Sequence, residues 1–396
     1  MPLAGGTSST LYEDQSLVRV VGRRPRYSDT GHVARPSLKR LAALGLLVLG
    51  LTAAPASGAA LGVYVGAANP AGVSAFGTWL DREPEYAVDF LADNSWSEIS
   101  TPIWWLSGWQ GSPYDVVFSV PMVPKDGSTI AQGAAGSYDH HFTQLAQNLV
   151  AYGYGDATIS LGWEMNGNWF AWSAQSDPAA YVTYWRRIVD AMRAVSGSSF
   201  RFDWNPIAGG SFPVETAYPG DAWVDVIGLD VYDQGWWAGW EDPVNRWIEL
   251  VHQPYGLAWH RDFAAAHGKP VSFPEFGLSD DLAQHGGGDN PYFVEKMYEW
   301  IGLNKENVEY YAYFEFAGPI GNSAMMGGSF PLAGAKFQEL FSVDPPAIDP
   351  TPPPGAPEPE IEKEGESAEP SRVPASITQI AEPEETIPVV SHQRHA

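Results

Sequence analysis

Short apolar runs alternate with stretches of helical periodicity between about residues 60 and 343. The runs at 61–66, 86–91, 115–120, 157–162, 200–204, 224–231, 270–273 and 310–316 read as strands. Several are near-continuously apolar, as parallel strands covered on both faces are. Eight such strands separated by helices are what an α/β barrel needs to close. The pattern therefore predicts one (β/α)8 TIM barrel domain over 60–343.

The helix after the fourth run is the most sharply defined. Asp177 is placed to accept from first-turn amides, and Pro178 stands where a missing N–H costs nothing. Tyr181, Trp185, Ile188, Met192 and Val195 recur at helical spacing and form an inward stripe. Arg186, Arg187, Asp190 and Arg193 fall on the wet face, and Gly197 offers a left-handed stop. Further helices are predicted at 141–152, 243–267, 291–303 and 333–341. Gly- and Trp-rich stretches at 234–240 and 284–289 follow strands, where loops carry function.

The two ends read differently from the barrel. Arg23, Arg24, Arg26, Arg35, Lys39 and Arg40 precede an apolar run at 41–52, and small residues follow at 53–60. That order predicts an export signal over 1–59 and a secreted protein. The run is short of the roughly 20 apolar residues a membrane span needs, so an uncleaved anchor is the second reading. The stretch 344–396 is rich in Pro and Glu and poor in large apolar residues, which predicts a disordered acidic tail.

The chain carries a net charge of -25, which argues against a nucleic-acid backbone or an anionic membrane as partner. Much of the acidic excess lies in the tail. With no cysteine, disulfides and thiolate metal sites are excluded. A load of 17 Trp, 18 Tyr and 17 Phe fills a core and also leaves rings for a groove in which sugar faces stack.

Two carboxylates stand at strand exits. Glu164 follows the fourth run in Leu161-Gly-Trp-Glu-Met-Asn-Gly-Asn-Trp-Phe-Ala-Trp172. Glu275 follows the seventh, in Phe273-Pro-Glu-Phe-Gly277. Barrel strands end at one mouth, so these acids can converge although they are far apart in sequence. Glycosidic cleavage needs such a pair: one acid protonates the departing oxygen, and a second carboxylate meets the anomeric carbon or activates water. Glu164 is assigned the proton and Glu275 the charge, with Tyr232 placed to donate to Glu275. Trp163, Asn166, Trp169, Trp172, Asn205, Trp236 and Trp237 are candidate sugar contacts. Asp230 reads as a support for Tyr232 or the barrel top. Trp104, Trp105 and Trp109 read as packing before groove wall. His140 and His141 point about 100° apart on a helix with no acid at ligand spacing, so no metal is expected. No phosphate loop or nucleophile elbow is present, so no cofactor is called for and a serine hydrolase is disfavoured.

These motifs resemble glycoside hydrolase family 26, a family of retaining (β/α)8-barrel glycosidases. Residues 163–172 resemble its acid/base motif and imply Glu164 as general acid/base. Residues 273–277 resemble its nucleophile motif and imply Glu275. Gly228-Leu-Asp-Val-Tyr-Asp233 resembles its sixth-strand motif, whose Tyr, here Tyr232, contacts the nucleophile. β-Mannanases of that family resemble His-Glu at the acid, whereas this chain has Trp163-Glu164. The change bears on the sugar recognised and leaves the acid chemistry intact. The resemblance implies retention, for which carboxyl groups stand about 5–5.5 Å apart, against roughly 6.5–9.5 Å for inversion. The expectation is a secreted, monomeric, endo-acting hydrolase of a β-linked polysaccharide, with β-1,4-mannan first. Mixed-linkage β-glucan, β-1,3-xylan and a bacterial envelope glycan are the alternative substrates. A non-catalytic carbohydrate-binding barrel and an envelope-glycan transglycosylase are the rival functions.

Overall fold

A computed structural model describes residues 58–281, 285–318 and 321–348. The export leader up to residue 57 and the tail from 349 lie outside the described residues. Eight strand positions close into a parallel barrel. In chain order they are Ala60–Tyr64, Tyr86–Phe90, Asp115–Val120, Thr158–Leu161, Arg201–Trp204, an interrupted sixth strand, Val271–Gly277 and Val308–Phe314. The sixth strand runs as Val226–Gly228 and resumes as Val231–Tyr232. Its first piece pairs with the fifth and seventh strands, and its second with the seventh alone. The first strand pairs with the eighth, which closes the ring. The barrel read from the apolar runs is the barrel observed.

Alternation along each strand divides the side chains. Leu61, Val63, Phe118, Ile159, Leu161, Phe202 and Trp204 join the main core between strands and helices. Tyr64, Val88, Val117, Tyr310 and Ala312 form a small separate cluster inside the barrel. Beside them the interior is polar. Asp203 Oδ2 accepts from Ser272 Oγ at 2.5 Å and Tyr310 OH at 2.7 Å. Burial pushes the Asp203 carboxyl up to about 6 against the pull of those two donors.

The helix Pro178–Arg193 starts as expected, with Asp177 Oδ1 accepting from Ala180 N at 2.9 Å. Tyr181, Trp185, Ile188 and Met192 are buried. It ends earlier than Gly197 suggests. Ala194 is its cap, and the chain unwinds through turns until Ser199 N bonds Gly155 O at 2.6 Å and leads into the fifth strand. Gly197 is left-handed, but as a turn residue. The single helix predicted over 243–267 is two, Pro243–His252 and Leu257–His267. Pro254 explains the break: it lacks an amide and drives Gln253 into an extended conformation. Gly256 is required where the second helix begins, because a Cβ there would lie 2.4 Å from Leu250 O. Helices Pro70–Leu80, Trp96–Ser100, Ile103–Trp109 and Ile130–Ala134 complete the early half of the fold. Among the described residues no helix is long and apolar enough to cross a membrane.

Candidate active site

Glu164 sits three residues beyond the end of the fourth strand, where the chain turns sharply. Gly162 and Glu164 both take positive φ, +58° and +50°. For a glutamate this is a disfavoured conformation that costs on the order of 1–3 kcal/mol and persists only where the surroundings enforce it. Here Glu164 N bonds Asn205 O at 2.7 Å, Gly167 N bonds Glu164 O at 2.9 Å, and Ala174 N bonds Met165 O at 2.8 Å. Gly162 also makes room, since a Cβ there would lie 2.5 Å from the Met122 sulfur.

The seventh strand carries Glu275, and the sixth-strand exit holds it. Tyr232 OH donates to Glu275 Oε2. Asp230 Oδ1 accepts from Glu275 N at 3.0 Å, while Asp230 Oδ2 accepts from Asn205 Nδ2 at 2.9 Å. One carboxylate oxygen each from Glu164, Asp230 and Glu275 lie within 4.8 Å of one another, and all three residues are buried. Burial first, then the charges of Glu275 and Glu164, hold the Asp230 carboxyl well above the usual carboxylate range.

A cleft opens at the same mouth. Its walls include Tyr64, Phe90, Trp163, Phe170, Phe314 and Phe316, and Tyr232 lines it as well. Trp163 meets Phe90 edge-on at 5.3 Å and Phe170 at 5.0 Å. Trp163, next in sequence to Glu164, and Tyr232, bonded to Glu275, line the cleft, whereas the two glutamates are buried behind them and are not among its lining residues. Among the described residues, no lysine, arginine or histidine lines it.

Other candidates land elsewhere. Trp172 is fully buried, stacks on Phe170 at 4.4 Å, and donates to Trp163 O at 2.8 Å. It has no face for a sugar and instead supports the cleft wall from behind. Asn166 reads the backbone of the next loop, with its amide group bonded to both N and O of Ile207. Asn205 is 1% exposed; its Nδ2 donates to Asp230, and its Oδ1 has no partner among the described residues. Trp236 and Trp237 are not among the residues that line the cleft. Trp236 is 60% exposed and packs on His285 at 5.0 Å, in a loop pinned below by the buried Arg246–Asp233 pair. Trp169 is part exposed, and its Nε1 donates to Glu164 Oε2 at 2.7 Å. Trp109 is buried and donates to Asp89 at 2.6 Å, whereas Trp104 is 61% exposed.

Sequence reasoning missed the aromatic wall made by Tyr64, Phe90, Phe314 and Phe316. Each stands at or just past the end of a strand, which was the available signal.

Residues 159–253 match the family model Glycosyl hydrolase family 26. A mannan endo-1,4-beta-mannosidase of Bifidobacterium adolescentis is 35% identical over 155 residues, 37% of this chain and 15% of that protein. Endoglucanase H of Acetivibrio thermocellus is 22% identical over 263 residues, 64% of this chain and 27% of that protein. The matched stretches are thus a minor part of both curated relatives. Among solved structures, a modular endo-beta-1,4-mannanase from Cellulomonas fimi aligns with a TM-score of 0.54 at 20% identity, covering 72% of this chain and 70% of that one. That likeness is one of fold.

Proposed function

We propose that the chain is a member of glycosyl hydrolase family 26 and that its barrel is a retaining, endo-acting glycosidase of a β-linked polysaccharide, with β-1,4-mannan as the first substrate. The observation that carries the reading is the approach of Glu164 and Glu275, whose carboxylate oxygens come within 4.8 Å. An approach this close is compatible with direct attack by one carboxylate beside its proton donor.

Glu275 attacks the anomeric carbon while Glu164 gives a proton to the departing oxygen. Water then displaces Glu275, returning its proton to Glu164. Tyr232 stabilises the Glu275 charge between attacks. Asp230 holds the backbone of Glu275, and burial with the charges of Glu275 and Glu164 raises its own carboxyl above the usual carboxylate range. Aromatic walls without cations favour a neutral glycan over one bearing uronate or sulfate.

One second reading has specific support. The longer match is to a protein named an endoglucanase, and Trp163 precedes the acid, so a β-glucan is the rival substrate. Export through the leader is part of the same proposal, and N-terminal sequencing of the secreted form tests it.

Reducing-sugar release across β-1,4-mannan, mixed-linkage β-glucan and β-1,3-xylan decides the substrate. NMR of the first product should show the anomeric configuration retained. Tight binding without release from any glycan would favour a binding protein. Longer products in place of shorter ones would favour a transglycosylase.

A further inference from the structure

We propose that Trp169 is a positioning residue that selects which oxygen of Glu164 delivers the proton. The inference rests on the acid role given to Glu164 above. Trp169 Nε1 donates to Oε2 at 2.7 Å, whereas Oε1 is buried and has no partner. The two oxygens of the acid are therefore chemically distinct before any sugar arrives.

An indole N–H donates and never accepts. Whatever the protonation state of Glu164, Oε2 is thus the acceptor facing Trp169, and the acidic hydrogen belongs on Oε1. No protein atom among the described residues competes for Oε1, so its hydrogen is free to be donated to a substrate oxygen. The glycosidic oxygen is such an acceptor.

The chain is built to keep the ring in place. A Cβ on Gly167 would lie 2.3 Å from Trp169 Cζ2, so the indole packs directly over a bare glycine. Gly167 is tied by its N–H to Glu164 O at 2.9 Å and by its carbonyl to Ser173 Oγ at 2.5 Å. Gln175 Nε2 holds Asn166 O at 2.7 Å. The short loop from Glu164 to Trp169 therefore folds back so that the ring at its end orients the acid at its start.

In the first half-reaction the Oε1–H bond breaks as the leaving oxygen gains that hydrogen. The C1–oxygen bond to the leaving group breaks, and C1 bonds to Glu275. In the second half, water oxygen bonds C1, its hydrogen passes to Oε1, and the C1–Glu275 bond breaks. Trp169 stays on Oε2 throughout and stabilises the charge that appears on Glu164 when its proton leaves.

The test is Trp169→Phe, which keeps a ring and removes the donor. It is assayed on mannohexaose, whose leaving group needs a proton, and on 2,4-dinitrophenyl β-mannobioside, whose leaving group does not. The expected loss in kcat/KM is about 10–100-fold on mannohexaose, the worth of a bond to a charged group, and under about threefold on the activated substrate. Gly167→Ala, which displaces the ring, should show the same split. Equal losses on both substrates would mean a packing role and overturn the proposal, as would no loss on either. Should the wild type prefer glucan, the matching gluco pair replaces the manno pair. Inactivity of the wild type on both series would count against the proposed function, not against the contact. In that event the indole N–H resonance that disappears in Trp169→Phe decides: it should shift in Glu164→Ala, and an unmoved signal would overturn the assignment.

Discussion

Replacing Tyr232 by Phe removes one hydroxyl that donates to Glu275 and leaves the ring against Phe314. Glu275 is 1% exposed, so water does not replace the lost donor freely. A hydrogen bond to a charged group contributes about 1.5–3 kcal/mol, and burial places this one in the upper part, about 2–3 kcal/mol. The bond is strongest when Glu275 is a free carboxylate and weakest when its charge is spent in an ester to the sugar. Its loss therefore raises the free enzyme relative to the covalent intermediate. Attack by Glu275 is not slowed, while expulsion of Glu275 is. With half of the bond regained in the second transition state, deglycosylation slows roughly 5–12-fold; with all of it, about 30–150-fold. The assay is stopped-flow release of dinitrophenolate from an activated glycoside. Tyr232→Phe should show a burst equal to the enzyme concentration, followed by a slow steady state, with kcat and KM falling together. A variant with no burst, and with kcat/KM reduced as much as kcat, would refute the assignment of Tyr232 to the nucleophile's charge.

Glu164→Ala and Glu275→Ala should each lower turnover on polysaccharide by about 10²–10⁴-fold or more; near-normal rates in either would remove it from the chemistry. Asp89, a buried residue of the second strand, accepts from Trp109 Nε1, Ala68 N and Phe90 N, yet burial outweighs these donors and raises its pKa from 3.8 to about 7. The folded state thus binds the extra proton, so its stabilising contribution is full below about pH 4 and is lost as pH rises through 7, by about 4 kcal/mol. Urea unfolding of wild type and Asp89→Asn across pH 4–8 should show the wild type losing stability relative to the variant as pH rises; the reverse slope would show that the three donors dominate. Trp172→Ala should cost about 3–5 kcal/mol in unfolding free energy. Trp236→Ala should change stability by less than about 0.5 kcal/mol in the same urea assay, since the ring is 60% exposed.

Distance along the chain separates what could be read in advance from what could not. A buried parallel strand is a local signal, and so is the acid that follows it. The eight runs and the exits carrying Glu164, Tyr232 and Glu275 were therefore legible. The helix break at 253–256 was legible too, since Pro254 stood in plain view, but the apolar spacing on both sides masked it. Side-chain roles were not local. Trp169 and Trp172 lie three residues apart in one motif and look interchangeable, yet one ring reaches the acid while the other supports the wall from the core. The difference is set by which neighbours fill space around each ring: Gly167 leaves room under Trp169, and Trp163 and Phe170 enclose Trp172. The cleft is further from local still. Phe90 and Phe314 come together at 6.2 Å because the first strand, lying between theirs, pairs with both the second and the eighth. Ring closure is a property of eight strands at once. A residue whose function depends on closure carries no sign of it in its own segment, whereas an acid at a strand exit points toward the mouth whichever strands become its neighbours.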